Sequence, residues 1–205
     1  FGYNNFIFLN ATGRQDATST LNLDDNTYFY PSIGLSVVLT EGISALQNSR
    51  ILSYAKVSVS NATVYNDLPV FLNNETYRQQ NTRDLTGGFE NYPAFPLGGQ
   101  NGYYLSTNTV DANISKEKLN TTEIGANLGF LGGRFTLDAA YYVTKTTDLI
   151  TSTTPSRASG ASVFWTNIGE LKGTGYELTL GGTILDMGGF KWKMNVNYTA
   201  QETVV

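Results

Sequence analysis

Hydrophobic and polar residues alternate along much of the chain, and a period of two marks a strand whose two faces meet different surroundings. Ile124, Ala126, Leu128 and Phe130 fall on one side, and Glu123, Gly125, Asn127 and Gly129 on the other. Gly132-Gly133 then predicts a tight turn. The next strand sets Phe135, Leu137, Ala139, Tyr141 and Val143 against Thr136, Asp138, Ala140, Tyr142 and Thr144. A third sets Tyr176, Leu178, Leu180 and Ile184 against Gly175, Glu177, Thr179, Gly181 and Thr183. After Asp186–Gly189, a fourth sets Phe190, Trp192, Met194, Val196 and Tyr198 against Lys191, Lys193, Asn195, Asn197 and Thr199. Earlier, Ile33, Leu35, Val37 and Leu39 alternate with Ser32, Gly34, Ser36 and Val38, and Ala55, Val57 and Val59 with Tyr54, Lys56, Ser58 and Ser60. A strand near Phe6–Ala11 has no assignable face.

The pattern predicts about seven strands of roughly 9 to 13 residues, against about 5 to 6 for an ordinary strand. Strands of about 9 to 11 residues are what a tilted barrel strand needs to cross a bilayer. Connections alternate in length. Short ones are expected at Glu41–Ser49, Gly132-Gly133 and Asp186–Gly189, and long ones at Arg14–Thr27, Ala62–Ser115 and Thr147–Ile168. The predicted fold class is therefore all-β, with antiparallel up-and-down strands forming a transmembrane β-barrel. The alternative is a soluble β-sandwich, a carbohydrate-binding or adhesion module whose apolar face meets a second sheet. The barrel is favoured by strand length, by the charged and amide residues opposite the apolar faces, and by aromatics placed as interfacial girdles: Tyr28-Phe29-Tyr30, Phe164-Trp165, Phe190 and Trp192.

Composition narrows the chemistry. The 205 residues carry a formal charge of −4, which argues against nucleic-acid binding. No Cys and no His are present, which excludes disulfides, thiol catalysis, a Ser-His-Asp triad and His-based metal sites. The opening Phe1-Gly2-Tyr3-Asn4-Asn5 lacks the features of a signal peptide, and no apolar run approaches the length of a spanning helix. Glu117 and Glu123 sit at a loop and a strand with nothing to pair them, so no enzyme is expected. Asp24-Asp25-Asn26 lacks the spacing of a calcium loop and reads as a turn. No cofactor or metal is expected. Arg14 and Asp16 are spaced for a salt bridge in the lumen or in the connection that follows them, with a solvated turn as the plain alternative. Tyr103, Tyr104, Phe164 and Trp165 are the candidate substrate or partner contacts, since loop aromatics stack on sugar rings or grip peptide side chains; girdle or loop packing is the competing role for each. The long connection about 62–115 adds Tyr65, Phe71, Tyr77, Phe89, Tyr92 and Phe95, with Arg78 and Arg83.

Particular strings extend this reading. Thr122-Glu123-Ile124-Gly125, Gly129-Phe130-Leu131-Gly132-Gly133-Arg134, Ala140–Ile150, Asn167-Ile168-Gly169-Glu170-Leu171 and Gly173-Thr174-Gly175-Tyr176-Glu177-Leu178 occur in this order. They are preceded by Gly13-Arg14-Gln15-Asp16, Tyr28-Phe29-Tyr30-Pro31-Ser32 and Tyr54–Ser60. Together they resemble the barrel of SusC/RagA-type TonB-dependent outer-membrane transporters. Two positions depart from that pattern: Lys116-Glu117-Lys118 lacks the usual Pro, and Gly173 stands where Asn is usual. The resemblance implies that these strands form part of a large transmembrane β-barrel, and that 1–205 is a partial barrel domain, with plug domain and barrel C-terminus absent and an extracellular loop at about 62–115. It implies an active importer in the cell outer membrane of a Gram-negative bacterium, taking up oligosaccharides or peptides. The implied partners are a SusD-like surface lipoprotein, TonB acting through the missing plug segment, and outer-membrane lipid.

Overall fold

The computed structural model describes residues 1–22, 26–70, 72, 77–79 and 99–205. In chain order the strands are β1 (Gly2–Tyr3), β2 (Ile7–Ala17), β3 (Thr27–Val38), β4 (Leu52–Asn66), β5 (Tyr77–Gln79), β6 (Tyr103–Leu105) and β7 (Asn108–Val110). They continue with β8 (Glu117–Phe130), β9 (Phe135–Thr147), β10 (Ile150–Thr153), β11 (Val163–Asn167), β12 (Glu170–Met187) and β13 (Phe190–Val204). One sheet holds eight of them in the order β1-β2-β3-β4-β8-β9-β12-β13, and every pairing in it is antiparallel. Seven of these strands are long, from 11 to 18 residues. This is the meander that the alternation predicts. No second sheet of the described residues covers its apolar side, which sets aside the sandwich. The remaining sheets are small and belong to the long connections: β10-β11-β7 and β5-β6.

Turn chemistry explains the tight ends. Between β8 and β9, Gly132 and Gly133 take φ of 70° and 82°; between β12 and β13, Gly188 and Gly189 take 43° and 101°. Left-handed backbone of this kind is nearly free for glycine and costly for most other residues.

The connections differ from expectation in extent. Arg14 to Ala17 pair with Tyr30 to Thr27, so β2 runs through residues that read as loop, and the connection shrinks to 18–26. The expected short turn Glu41–Ser49 lies inside a longer connection built on two single helical turns, α1 (Leu39–Gly42) and α2 (Ser44–Gln47). Strand β4 continues to Asn66 and β8 begins at Glu117, so the long connection is narrower than 62–115 and carries β5, β6 and β7. The connection expected at 147–168 carries β10 and β11.

Ile184 is also corrected. The ladder between β12 and β13 shifts register between Thr183 and Leu185, which makes Ile184 a bulge residue and not a member of the apolar row. Before the shift the even residues of β12 share the apolar face of β13; after it Leu185 and Met187 do, opposite Trp192 and Phe190. The carbonyls that the bulge frees are satisfied by Arg134, whose Nε donates to Thr183 O and whose Nη2 donates to Ile184 O, both at 3.0 Å. Deleting Ile184 should therefore restore plain alternation and leave an assembled barrel. Deleting Thr179 reverses every side chain on one side of the cut and should block assembly. Heat-modifiable electrophoretic migration of the full-length protein distinguishes the two outcomes.

Candidate functional site

Register turns the alternation into continuous rows. Leu9, Leu35, Val59, Ile124, Tyr141, Tyr176 and Ala200 are successive cross-strand partners, one from each long strand. The next row is Ile7, Val37, Val57, Ala126, Ala139, Leu178 and Tyr198. Below it Ala55, Leu128, Leu137, Leu180 and Val196 make a third. Apart from Ala55, which is buried, these side chains are exposed or half-buried: Ile124 is 56% exposed, Leu180 54% and Val196 47%. An apolar surface that crosses seven strands is far larger than the few hundred Å² that a soluble monomer ordinarily leaves open.

The opposite face is polar. Asn10, Gly34, Ser60, Glu123, Tyr142, Gly175 and Gln201 form one of its rows. Asp138, Glu177 and Lys193 have the same parity as Glu123, and Asn127 donates to Asp138 at 2.6 Å. The Tyr142 ring lies over Gly175, where a Cβ has no room. Gly173 is similarly crowded by Thr144, which accounts for the missing Asn at that position.

Buried apolar residues gather instead at the long-loop end. Leu21, Tyr28, Leu68 and Ile114 form a small core, flanked by Tyr30, Tyr65, Leu72, Val110, Ile150 and Trp165. It draws on all three long connections or the strand ends beside them. Asp67 Oδ2 accepts from Thr20 Oγ1 at 2.9 Å and from Tyr28 OH at 3.2 Å. Lys116 Nζ donates to Thr27 O at 2.9 Å and lies 5.5 and 5.7 Å from the ring centroids of Tyr28 and Tyr65. Asn167 accepts from Ser115 N at 2.8 Å and donates to Ser115 O and Asp148 O at 2.9 and 2.7 Å. Glu117 Oε2 accepts from Ile150 N at 3.1 Å. The loop bases are thus stitched into a platform.

The candidate residues fall in two places. Tyr103 and Tyr104 lie on β6, paired with β5; Tyr103 is 61% exposed, and the Tyr104 side chain is outside the described residues. Phe164 and Trp165 lie on β11, half-buried, with Trp165 packed against the loop-end core. Tyr28 and Tyr30 have polar-face parity and join that core, so they are not girdle residues, and neither are Phe164 and Trp165. Phe190 and Trp192 do stand on the apolar face at the short-turn end. The aromatics at its other edge are Tyr141, Tyr176 and Tyr198; their place in the apolar alternation was legible, but their row emerges only from cross-strand register. Arg14 and Asp16 bridge at 2.9 Å, but within β2, where Arg14 also stacks 4.5 Å from the Tyr30 centroid, so the pair orders a strand end. Glu117 and Glu123 point to one face six positions apart on β8, about 20 Å, too far to share a glycosidic bond. Asp24, Asp25, Phe71, Arg83, Phe89, Tyr92 and Phe95 lie outside the described residues, as do the side chains of Tyr77 and Arg78. Among the described residues no three His, Cys, Asp or Glu side chains cluster to hold a metal.

Burial disfavours the charged form of Asp67, but hydrogen bonds from Thr18, Thr20 and Tyr28 outweigh it and hold the carboxyl below its ordinary value. A depressed folded pKa contributes stability that is present above the unfolded value and is lost as pH falls through the folded one. The loop-end core should therefore loosen below about pH 4. Hydrogen exchange over residues 18–22 and 110–116 of the full-length protein should rise there. Asp67→Asn should remove this acid dependence and cost about 1 kcal/mol at neutral pH.

Comparison with known proteins agrees with this geometry. Residues 2–205 match the family described as TonB dependent receptor-like, beta-barrel. The chain is 26% identical to TonB-dependent receptor P26 of Formosa agariphila over 208 residues, covering 100% of this chain and 20% of that protein. It is 27% identical to TonB-dependent receptor SusC of Bacteroides thetaiotaomicron over 216 residues, covering 97% of this chain and 20% of that one. Among solved structures, the RagAB peptide importer in its closed-closed state superposes with a TM-score of 0.82 at 20% identity, over 98% of this chain and 21% of that one. The chain thus spans about a fifth of the length of these relatives. An eight-stranded antiparallel meander, apolar on one face and polar on the other, and a family match over almost every residue establish that this chain belongs to the TonB-dependent receptor β-barrel family, whose members are transport proteins and not enzymes.

Proposed function

We propose that this chain is a segment of the wall of an outer-membrane active importer, with its apolar face on lipid and its polar face on the lumen. The observation that carries this is the height of the apolar belt. Along β12 and β13 it runs from the pair Tyr176/Ala200 to the pair Met187/Phe190, ten residues on β13. At about 3.3 Å per residue that is about 33 Å of strand. A strand tilted by about 40–45° then spans about 25 Å, the height of the apolar band of outer-membrane barrels. Aromatics bound it at both edges, Trp192 and Phe190 at one and Tyr176, Tyr198 and Tyr141 at the other. The two tightest turns, at Gly132-Gly133 and Gly188-Gly189, lie at one end and the two longest connections, 67–116 and 148–169, at the other, which supports placing the long connections at the cell exterior.

In this reading the transported substrate is an oligosaccharide or a peptide. The names of SusC and of the RagAB peptide importer support a two-component system, in which a SusD-like lipoprotein closes over the loop end. TonB acts through a plug carried elsewhere in the protein. The stitched platform gives partner and substrate a rigid base, and Tyr103, on β6 of the long connection, supplies an exposed aromatic, with Tyr104 adjacent. Phe164, half-buried on β11, is a further candidate contact, while Trp165 serves chiefly to hold the platform.

Two measurements test the reading. In the full-length protein refolded into vesicles, Leu180→Arg should cost about 2–4 kcal/mol, because it places a charge near the middle of the belt. Thr179→Arg, one residue away on the polar face, should cost little; equal effects would refute the assignment of faces. Removing residues 73–98 spares Asp67, Leu68 and Ile114, so the barrel should still assemble. Lipoprotein capture and uptake should be lost; wild-type levels of both would exclude this loop from recognition.

A further inference from the structure

Above the apolar belt, the outward face carries three basic side chains, all at the loop end. Lys145 and Lys172 are direct cross-strand partners, and Lys118 stands on the neighbouring strand one row further out, opposite Thr147. All three are exposed. The other basic residues of the long strands, Arg14, Lys56, Lys191 and Lys193, have the opposite parity and face the polar side. At the short-turn end, the outward positions Phe130, Phe135, Leu185, Met187, Phe190 and Trp192 carry no charge. Outward positive charge in the long strands is thus confined to three adjacent strands at one edge of the belt.

The same strands hold a dip in the belt. Ala126 and Ala139 face each other across the ladder, and their small side chains leave a shallow apolar hollow of about 410 Å³, walled by Val57, Tyr176, Leu178 and Tyr198. From Tyr176 to Lys172 is four residues of β12, about 13 Å along the strand. Lysine stems cover part of that gap, since their methylenes lie on apolar surface while the ammonium group stays polar, and the headgroup and first methylenes of a lipid cover the rest. Two acidic residues share the face. Glu170 bridges Lys145 at 2.8 Å, and Glu202 stands on the neighbouring strand opposite Thr174. Among the described residues Lys118 and Lys172 have no ion-pair partner.

We propose that this patch is a binding site for a phosphorylated lipid of the outer leaflet, with the phosphate held by Lys118, Lys145 and Lys172 and one acyl chain lying in the hollow. Charge complementarity selects the headgroup, and continuity with the belt selects a lipid over a soluble anion. The site rests on the membrane-spanning reading above.

The test uses the full-length protein in nanodiscs of zwitterionic phosphatidylcholine doped with diphosphoryl lipid A, with retained lipid counted by native mass spectrometry. The wild type should retain lipid A and discriminate against lipid A stripped of its phosphates. K118Q/K145Q/K172Q should lower occupancy at least ~tenfold. Ala139→Phe, which fills the hollow and leaves the lysines in place, should also lower it. Equal retention of the dephosphorylated lipid, or undiminished retention by the triple variant, overturns the proposal. Displacement of the lipid by millimolar inorganic phosphate also overturns it, since the site is then one for a free anion. A wild-type protein that enters nanodiscs but holds no lipid A refutes this site alone. Failure to enter them at all refutes the membrane-spanning reading beneath it.

Discussion

The arrangement depends on where backbone hydrogen bonds can go. Each long strand spends its N–H and C=O groups sideways, on its neighbours, and so leaves two faces defined only by side chains. In hydrocarbon an unpaired backbone group costs several kcal/mol, so a spanning sheet has to keep its ladder intact through the whole apolar belt. The ladders here do so with one exception inside the belt, the bulge at Ile184. Pairing runs unbroken from Glu170 to Gly182 against β9, and the irregularities in β4 and β12 lie near the short-turn ends. Where the bulge does free two carbonyls, Arg134 takes both.

That constraint separates two kinds of packing. In the proposed membrane-spanning arrangement the side chains over the belt need only be apolar, because their neighbours are fluid chains and not a second layer of protein. Leu, Val, Ile, Ala and Tyr stand there in rows, largely uncovered, with no jigsaw fit among them. At the loop end the surroundings turn aqueous and the chain has to supply its own core. Leu21, Tyr28, Leu68 and Ile114 pack together, and Asp67, Lys116 and Asn167 tie three connections by hydrogen bonds. The two regions divide the work: one makes the wall, the other gives the loops a fixed base.

Much of the wall was legible in the sequence because its signal is local. Residues 123–130 and 135–144 alternate cleanly, and their faces are as the alternation predicts. The same reasoning fails where an apolar side chain sits on the polar face, as Phe8 does opposite Ser36, which is why the first strand had no assignable face. It fails at Ile184, since a bulge changes parity without any mark in composition. The loop-end core was not legible at all. Leu68 and Ile114 are 46 residues apart within a Pro- and Gly-rich connection, and Tyr28 reads as a girdle aromatic until register puts it beside Asp67. Long-range contacts of this kind carry no periodicity. The candidate contacts share that weakness: an aromatic in a loop looks the same whether it is exposed like Tyr103 or packed like Trp165.

Asymmetry between the two ends of the sheet ties the structure to the proposed transport role. The tight turns at Gly132-Gly133 and Gly188-Gly189 offer glycine backbone and few side chains, so little can be recognised at that end. The other end carries long connections on a platform whose hydrogen bonds span up to 90 positions of sequence, as between Asn22 and Ala112. Recognition needs both parts of that arrangement. Loops long enough to vary supply the contacts, and a base that does not move keeps the cost of ordering them low. A barrel wall meets the second need because its inner strands, such as β8 and β9, are held by two neighbours along almost their whole length. In the proposed importer the membrane-spanning part and the recognition part are therefore one mechanical unit: the ladder that seals the backbone from lipid also fixes the geometry on which the long loops are set.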